Sequence, residues 1–110
     1  MRANEYQKLA ARTINPNLSR GGVQHHALLG LPAEVGELTG IFQKNLQGHD
    51  IDDEHVMKEM GDVLWMLAEL CTVRGYEMGD IMQKNIDKLI ARFPNGFEVD
   101  KSLHRKEGDV

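Results

Sequence analysis

Glu59-Met60-Gly61-Asp62-Val63-Leu64-Trp65-Met66-Leu67-Ala68-Glu69-Leu70-Cys71 is the stretch on which the fold turns. Its apolar residues recur at helical spacing and no proline interrupts them. Asp52 and Asp53 stand ahead of it, where anionic side chains offset the positive end of a helix, and the period runs on to Arg74-Gly75. At about 100° per residue, Asp62 falls about 60° from Glu59, with Val56, Val63, Leu67 and Leu70 beside the pair. Two acids are thus embedded in an apolar helix, where an uncompensated carboxylate is costly.

The segment before it carries Leu28, Leu31, Val35, Leu38, Phe42 and Leu46 at spacings of three and four, with Ser19 as N-cap and Gln47-Gly48-His49 at its end. Pro32 lies inside that pattern, deletes one backbone bond, and should kink the helix or divide it in two. Glu34 and Glu37 share one face of this helix at the shoulder of the apolar stripe. Both acid pairs have the form acid, apolar residue, glycine, acid: Glu34-Val35-Gly36-Glu37 and Glu59-Met60-Gly61-Asp62. Each glycine costs a helix about 1 kcal/mol relative to alanine, and close helix approach is the expected compensation.

Outside these two helices, Glu5 to Thr13 forms a short helix stopped by Asn15-Pro16-Asn17, and Glu77 to Arg92 forms another that ends before Pro94-Asn95-Gly96. The expected fold is therefore all-α, a bundle of four main helices spanning residues 1–97. After Phe97 the period is lost, so residues 98–110 are expected to be a charged C-terminal tail, loosely held or ordered against a partner. The third helix is apolar around most of its circumference, and a homodimer or homotetramer is expected to complete the core.

A chain of 110 residues fits one domain. Its net charge of -4, without a basic stripe, argues against a general binder of nucleic acid polymers. The single cysteine, Cys71, can form no internal disulfide, which points to a reducing, cytoplasmic setting. Neither a secretory h-region behind Met1-Arg2-Ala3-Asn4-Glu5 nor an apolar run of membrane-spanning length is present.

An acid at i and i+3 on a helix is ordinarily just solvated surface. Two pairs of one form, on successive helices and both bordering apolar faces, are hard to treat that way. Acids three apart rise about 4.5 Å, and packed helices lie about 8–10 Å between axes, so both pairs can converge on one or two divalent ions. An all-oxygen shell favours magnesium or manganese over zinc.

The pattern Glu-x-x-Glu, twenty-one residues, Glu-x-x-Asp resembles the signature of the MazG-like, all-alpha nucleoside triphosphate pyrophosphohydrolases. Leu28-Leu29-Gly30-Leu31, Gly61-Asp62-Val63-Leu64-Trp65, Lys84-Asn85-Ile86-Asp87-Lys88-Leu89 and Arg92-Phe93-Pro94-Asn95-Gly96-Phe97 also look like family segments, so the likeness runs from Glu5 to Phe97. Ala33 departs from it, standing where many relatives place a further glutamate, and Pro32 stands where a small helix former is more usual. The resemblance implies hydrolysis of a nucleoside triphosphate to monophosphate and pyrophosphate. It implies that Glu34, Glu37, Glu59 and Asp62 hold magnesium, and that Asn85, Lys88 and Arg92 reach the nucleotide. Glu37 is the expected general base. The alternative is a helical oligomerisation or regulatory module that binds nucleotide or metal without turnover.

Of the remaining residues, Lys44 falls two turns beyond Glu37 on the same side, within reach of a phosphate or simply solvated. His25 and His26 are expected to be packing or surface histidines, and Asp52-x-x-His55 is explained by capping and dipole effects. Trp65 lies away from the acids on the wheel and is expected in core or subunit packing rather than base stacking. Ala33, Gly36 and Gly40 make a small-residue face suited to close contact with another helix, of this chain or of another subunit.

Overall fold

The computed structural model describes residues 1–110 and contains five α-helices and no strand: α1 (Ala3–Ala10), followed by a 3-10 turn (Ala11–Thr13), α2 (Arg20–Leu46), α3 (Asp53–Arg74), α4 (Met78–Arg92) and α5 (Val99–Leu103). The all-α expectation holds. The chain forms two compact units, Met1–Glu77 and Met78–Val110.

In the first unit the helix limits follow from local chemistry. The Ser19 hydroxyl accepts the Gly22 amide at 3.0 Å and opens α2. The Asp52 carboxylate accepts the Glu54 amide at 3.0 Å and opens α3, which closes on Gly75 in the left-handed region, φ 75°. Pro32 does not divide α2, which runs unbroken for 27 residues with the proline exposed in its interior.

α2 and α3 pack antiparallel, as their partners show: numbers rise along one helix while they fall along the other. Arg20 Nε donates to the Val73 carbonyl at 3.1 Å, and Arg74 Nη1 donates to Gln24 Oε1 at 3.2 Å. His26 meets Glu69, and Gly30 meets Met66. The interface therefore runs along Val23, Ala27, Gly30 and Glu34 on α2, at spacings of three and four. On α3 it runs along Glu59, Asp62, Met66, Glu69 and Val73. Small residues on α2 let α3 approach, and the thioether of Met66, 2% exposed, fills the space a Gly30 side chain would occupy.

Two expectations fail here. The close approach falls at Gly30, not at the glycines of the acid pairs, since a Cβ added at Gly36 or Gly61 meets nothing within 4 Å. Within the chain the same is true of Gly40, which leaves contact with another subunit as the use of that face. The large apolar stripe of α2 is also not the buried face, because Leu28, Val35 and Phe42 remain exposed. What α2 buries is Val23 and Ala27, while α3 buries Met66, Ala68, Glu69 and Cys71.

α1 is tied to α3 through polar contacts. Gln7 Nε2 donates to the Tyr76 carbonyl at 2.8 Å and to Thr72 Oγ1 at 3.3 Å, and Trp65 Nε1 donates to Thr13 Oγ1 at 2.8 Å.

In the second unit, α4 leaves Ile81, Met82, Ile86, Leu89 and Ile90 exposed. The stretch after Phe97 carries α5, which loss of period concealed. Arg92 receives Asp109 as a fork: Nε donates to Oδ2 and Nη2 to Oδ1, both at 2.9 Å. The Phe93 and Phe97 rings pack tilted at 44° with centroids 5.3 Å apart, on either side of Gly96, φ 86°. No helix is long and apolar enough to cross a membrane.

Candidate metal centre

Glu34, from the middle of α2, meets Glu59 and Asp62 of α3, and one carboxylate oxygen from each lies within 4.8 Å of the others. All three side chains are half-buried. The convergence follows from the helix register: Glu34 is one turn beyond Gly30 on α2, and Asp62 is one turn before Met66 on α3. The Gly30–Met66 contact and the His26–Glu69 pair hold that register on one side of the acids.

Three carboxylates this close repel one another. Burial first, then the charges of Asp62, Glu59 and Glu37, raise the Glu34 carboxyl above the ordinary glutamate range. None of the ion pairs joins a lysine or arginine to any of the three. His55 Nε2 lies 3.2 Å from Glu59 Oε1, one turn back on α3. Sequence reasoning assigned His55 to helix-end effects alone, although its i, i+4 spacing from Glu59 would have signalled the contact.

The donor set suits a hard divalent cation. It is all oxygen, carries up to three negative charges, and its oxygens need only contract slightly to reach the separations of about 2.9–4.2 Å that octahedral bonds of about 2.1 Å require. Imidazole or thiolate donors, which would favour zinc, are not part of the cluster.

The other residues expected at the site are distributed as follows. Glu37 is exposed, one turn beyond Glu34, and is not among the three converging acids, although its charge reaches Glu34. Lys44 is exposed in the last turn of α2. Asn85, Lys88 and Arg92 belong to the second unit, on α4. Asn85 and Lys88 are exposed, whereas the Arg92 side chain is 10% exposed and held by Asp109, so its guanidinium is not open as the resemblance implied.

Trp65 also departs from expectation. Although it lies far around the helix from Glu59, it lines a groove of about 680 Å³ together with Asp62, Gly61, Lys58 and, from the α1 side, Tyr6, Leu9 and Thr13. The Tyr6 hydroxyl has its pKa raised by burial and then by the negative charge of Asp62.

Residues 24–97 match the MazG nucleotide pyrophosphohydrolase domain. The chain belongs to the MazG family. The matched span contains all four acids of the two pairs, while the α1 wall of the groove lies outside it. The MazG chain is also similar to the Gene 37 protein of Mycobacterium phage L5, 30% identical over 76 residues that cover 64% of this chain and 67% of the phage protein. No solved structure matches it.

Proposed function

We propose that this chain is a magnesium-dependent pyrophosphohydrolase that converts nucleoside or deoxynucleoside triphosphates to monophosphate and pyrophosphate. The observation that carries the reading is the convergence of Glu34, Glu59 and Asp62 within 4.8 Å in a chain of the MazG family. Such a cluster, with no lysine or arginine paired to it, is poised to bind a cation that in turn binds polyphosphate.

Glu34, Glu59 and Asp62 would hold the ion, with manganese as a substitute. When bound, the ion neutralises charge on the substrate phosphates and lowers the pKa of water. Glu37, outside the three oxygens yet within their field, takes the proton of the attacking water in this reading. His55 orients the Glu59 carboxylate through its 3.2 Å contact. The bond broken is the α–β phosphoanhydride, with pyrophosphate leaving. Asn85, Lys88 and Lys44 remain proposed phosphate contacts, and Arg92 joins them only if Asp109 releases it.

We take residues 1–97 as the catalytic domain, with 98–110 as a charged appendage. Self-association into a dimer or tetramer is supported by the exposed Leu28, Val35 and Phe42 on α2 and by the exposed apolar residues of α4. A nucleotide substrate and a reduced Cys71 suit work in the cytoplasm.

The test is product analysis with each common ribo- and deoxyribonucleoside triphosphate, with and without magnesium. Monophosphate plus pyrophosphate, lost in Glu59→Gln, is the expected result. Nucleoside diphosphate plus orthophosphate would overturn the bond choice. Nucleotide binding with no product at all would favour the regulatory-module reading.

A further inference from the structure

The second unit holds a cavity of about 160 Å³ with a mostly cationic wall, in which Arg92, Lys101, Arg105 and Lys106 are opposed in charge by Asp100 and Asp109 alone. Clefts that enclose drug-sized ligands run to about 300–1,000 Å³, so this one suits a small anion and not a whole nucleotide.

Asp109 neutralises that wall incompletely. Both of its oxygens are spent on one partner, since Arg92 Nε donates to Oδ2 and Nη2 to Oδ1. Arg105 and Lys88 act on the carboxylate through their charge alone, and Lys101, Arg105 and Lys106 belong to no ion pair. Asp100 does not compensate them, because it is exposed and lies 3.9 Å from His104. The Arg92 side chain, by contrast, is 10% exposed, so its guanidinium has exchanged most of its water for a planar oxyanion.

A short turn delivers the carboxylate. The Asp109 amide donates to the Lys106 carbonyl at 3.1 Å, and Gly108 holds the third position of that turn at φ 85°, which a residue with a side chain rarely adopts. Asp109 and Arg92 are 17 positions apart in sequence, and a tethered group of this kind competes with a free ligand at an effective concentration on the order of mM. Such a contact is displaceable by an anion that bonds the wall more fully.

We propose that Arg92, Lys101 and Arg105 form a site for a free phosphate oxyanion, orthophosphate or pyrophosphate, and that Asp109 is its latch, displaced when the anion binds. Phosphate presents the same two-oxygen edge to Arg92, and it has further oxygens and further charge for Lys101 and Arg105, which Asp109 lacks. Lys101, Arg105 and Asp109 lie outside residues 24–97, so the latch belongs to this chain rather than to the matched domain. The site stands whether or not the chain hydrolyses triphosphates, since neither the acid cluster nor turnover enters the argument.

The full-length protein is titrated by calorimetry with orthophosphate, pyrophosphate and adenosine monophosphate, without magnesium, so that the acid cluster repels anions. Amide hydrogen exchange of residues 98–110 is followed alongside. The expected result is one pyrophosphate bound per chain, with faster exchange at the Asp109 amide. Asp109→Asn and Arg92→Gln break the same pair yet should move pyrophosphate affinity in opposite directions, about tenfold tighter and about tenfold weaker. Asp100→Asn removes the same charge from the same wall without touching the fork, and an exposed charge is screened, so it should tighten binding by less than about threefold. Equal gains in Asp100→Asn and Asp109→Asn would reduce the effect to general attraction and overturn the latch. No pyrophosphate binding in either wild type or Asp109→Asn overturns the site. Adenosine monophosphate should bind more weakly than orthophosphate, and tighter binding would reassign the site from a free anion to the phosphate end of a nucleotide.

Discussion

His26 Nδ1 lies 2.9 and 3.0 Å from the two carboxylate oxygens of Glu69, so a histidine of α2 holds an acid of α3 that is only 4% exposed. The pair spans 43 positions of sequence and sits two turns from Asp62, on the same face of α3. It is the polar clamp of the interface that also carries the acid cluster.

Removing the histidine should leave Glu69 buried without its partner. His26→Ala is expected to lower stability by about 1–3 kcal/mol, the cost of an unsatisfied buried acceptor. His26→Ala combined with Glu69→Leu should recover part of the loss. Urea denaturation of the single and double variants measures both, and a double variant less stable than the single one would contradict the clamp.

Two glycine-to-alanine substitutions should have opposite signs. At Gly30 the added methyl collides with the buried Met66 side chain, and a loss of about 1–3 kcal/mol is expected, reduced by the gain in helix propensity. At Gly61 the methyl enters open space, so propensity acts alone and a gain of about 0.5–1 kcal/mol follows. Thermal melts of both variants check the contrast.

Glu34 makes the metal-free protein sensitive to pH. Its carboxyl is raised, chiefly by burial and then by Asp62, Glu59 and Glu37, so the folded state binds the proton more readily than the unfolded chain. The ionised Glu34 therefore penalises folding fully above its raised folded value, and the penalty vanishes below the ordinary glutamate range. Its contribution to stability should improve as pH falls through that window, and Glu34→Gln should stabilise the metal-free protein at neutral pH. Added magnesium should raise the melting temperature at neutral pH and do so less as protons compete for the acids. Melting curves across pH, with and without magnesium, would expose an absent coupling.

Asp109 has the opposite linkage. The Arg92 guanidinium holds its carboxyl below the usual aspartate range, so the contact contributes above the unfolded aspartate value and is lost as pH falls through the lowered folded one. Asp109→Asn should loosen residues 98–110 at neutral pH as acid does in the wild type. Amide hydrogen exchange of that stretch is the measurement, and equal protection in both proteins would rule the tether out.

Much of this architecture is legible without coordinates. The N-caps Ser19 and Asp52, the stop at Gly75, the break around Pro16 and the shared faces of Glu34 with Glu37 and of Glu59 with Asp62 all follow from chemistry within one or two helical turns. The likeness to the MazG family rests on those same short-range patterns, and the matched span bears it out.

What the tertiary structure decided is which of those features meet. α2 turns its small residues, not its leucines, toward α3, because Gly30 admits Met66 and His26 reaches Glu69. That register brings Glu34 rather than Glu37 to Glu59 and Asp62, and helix periodicity says nothing about the rotation of one helix against another. The capture of Arg92 by Asp109 and the groove between Trp65 and the α1 side likewise depend on side chains far apart in sequence. Intrahelical geometry is set by local backbone sterics and can be computed from spacing alone, whereas interhelical register is a packing outcome that exists only once the helices are side by side.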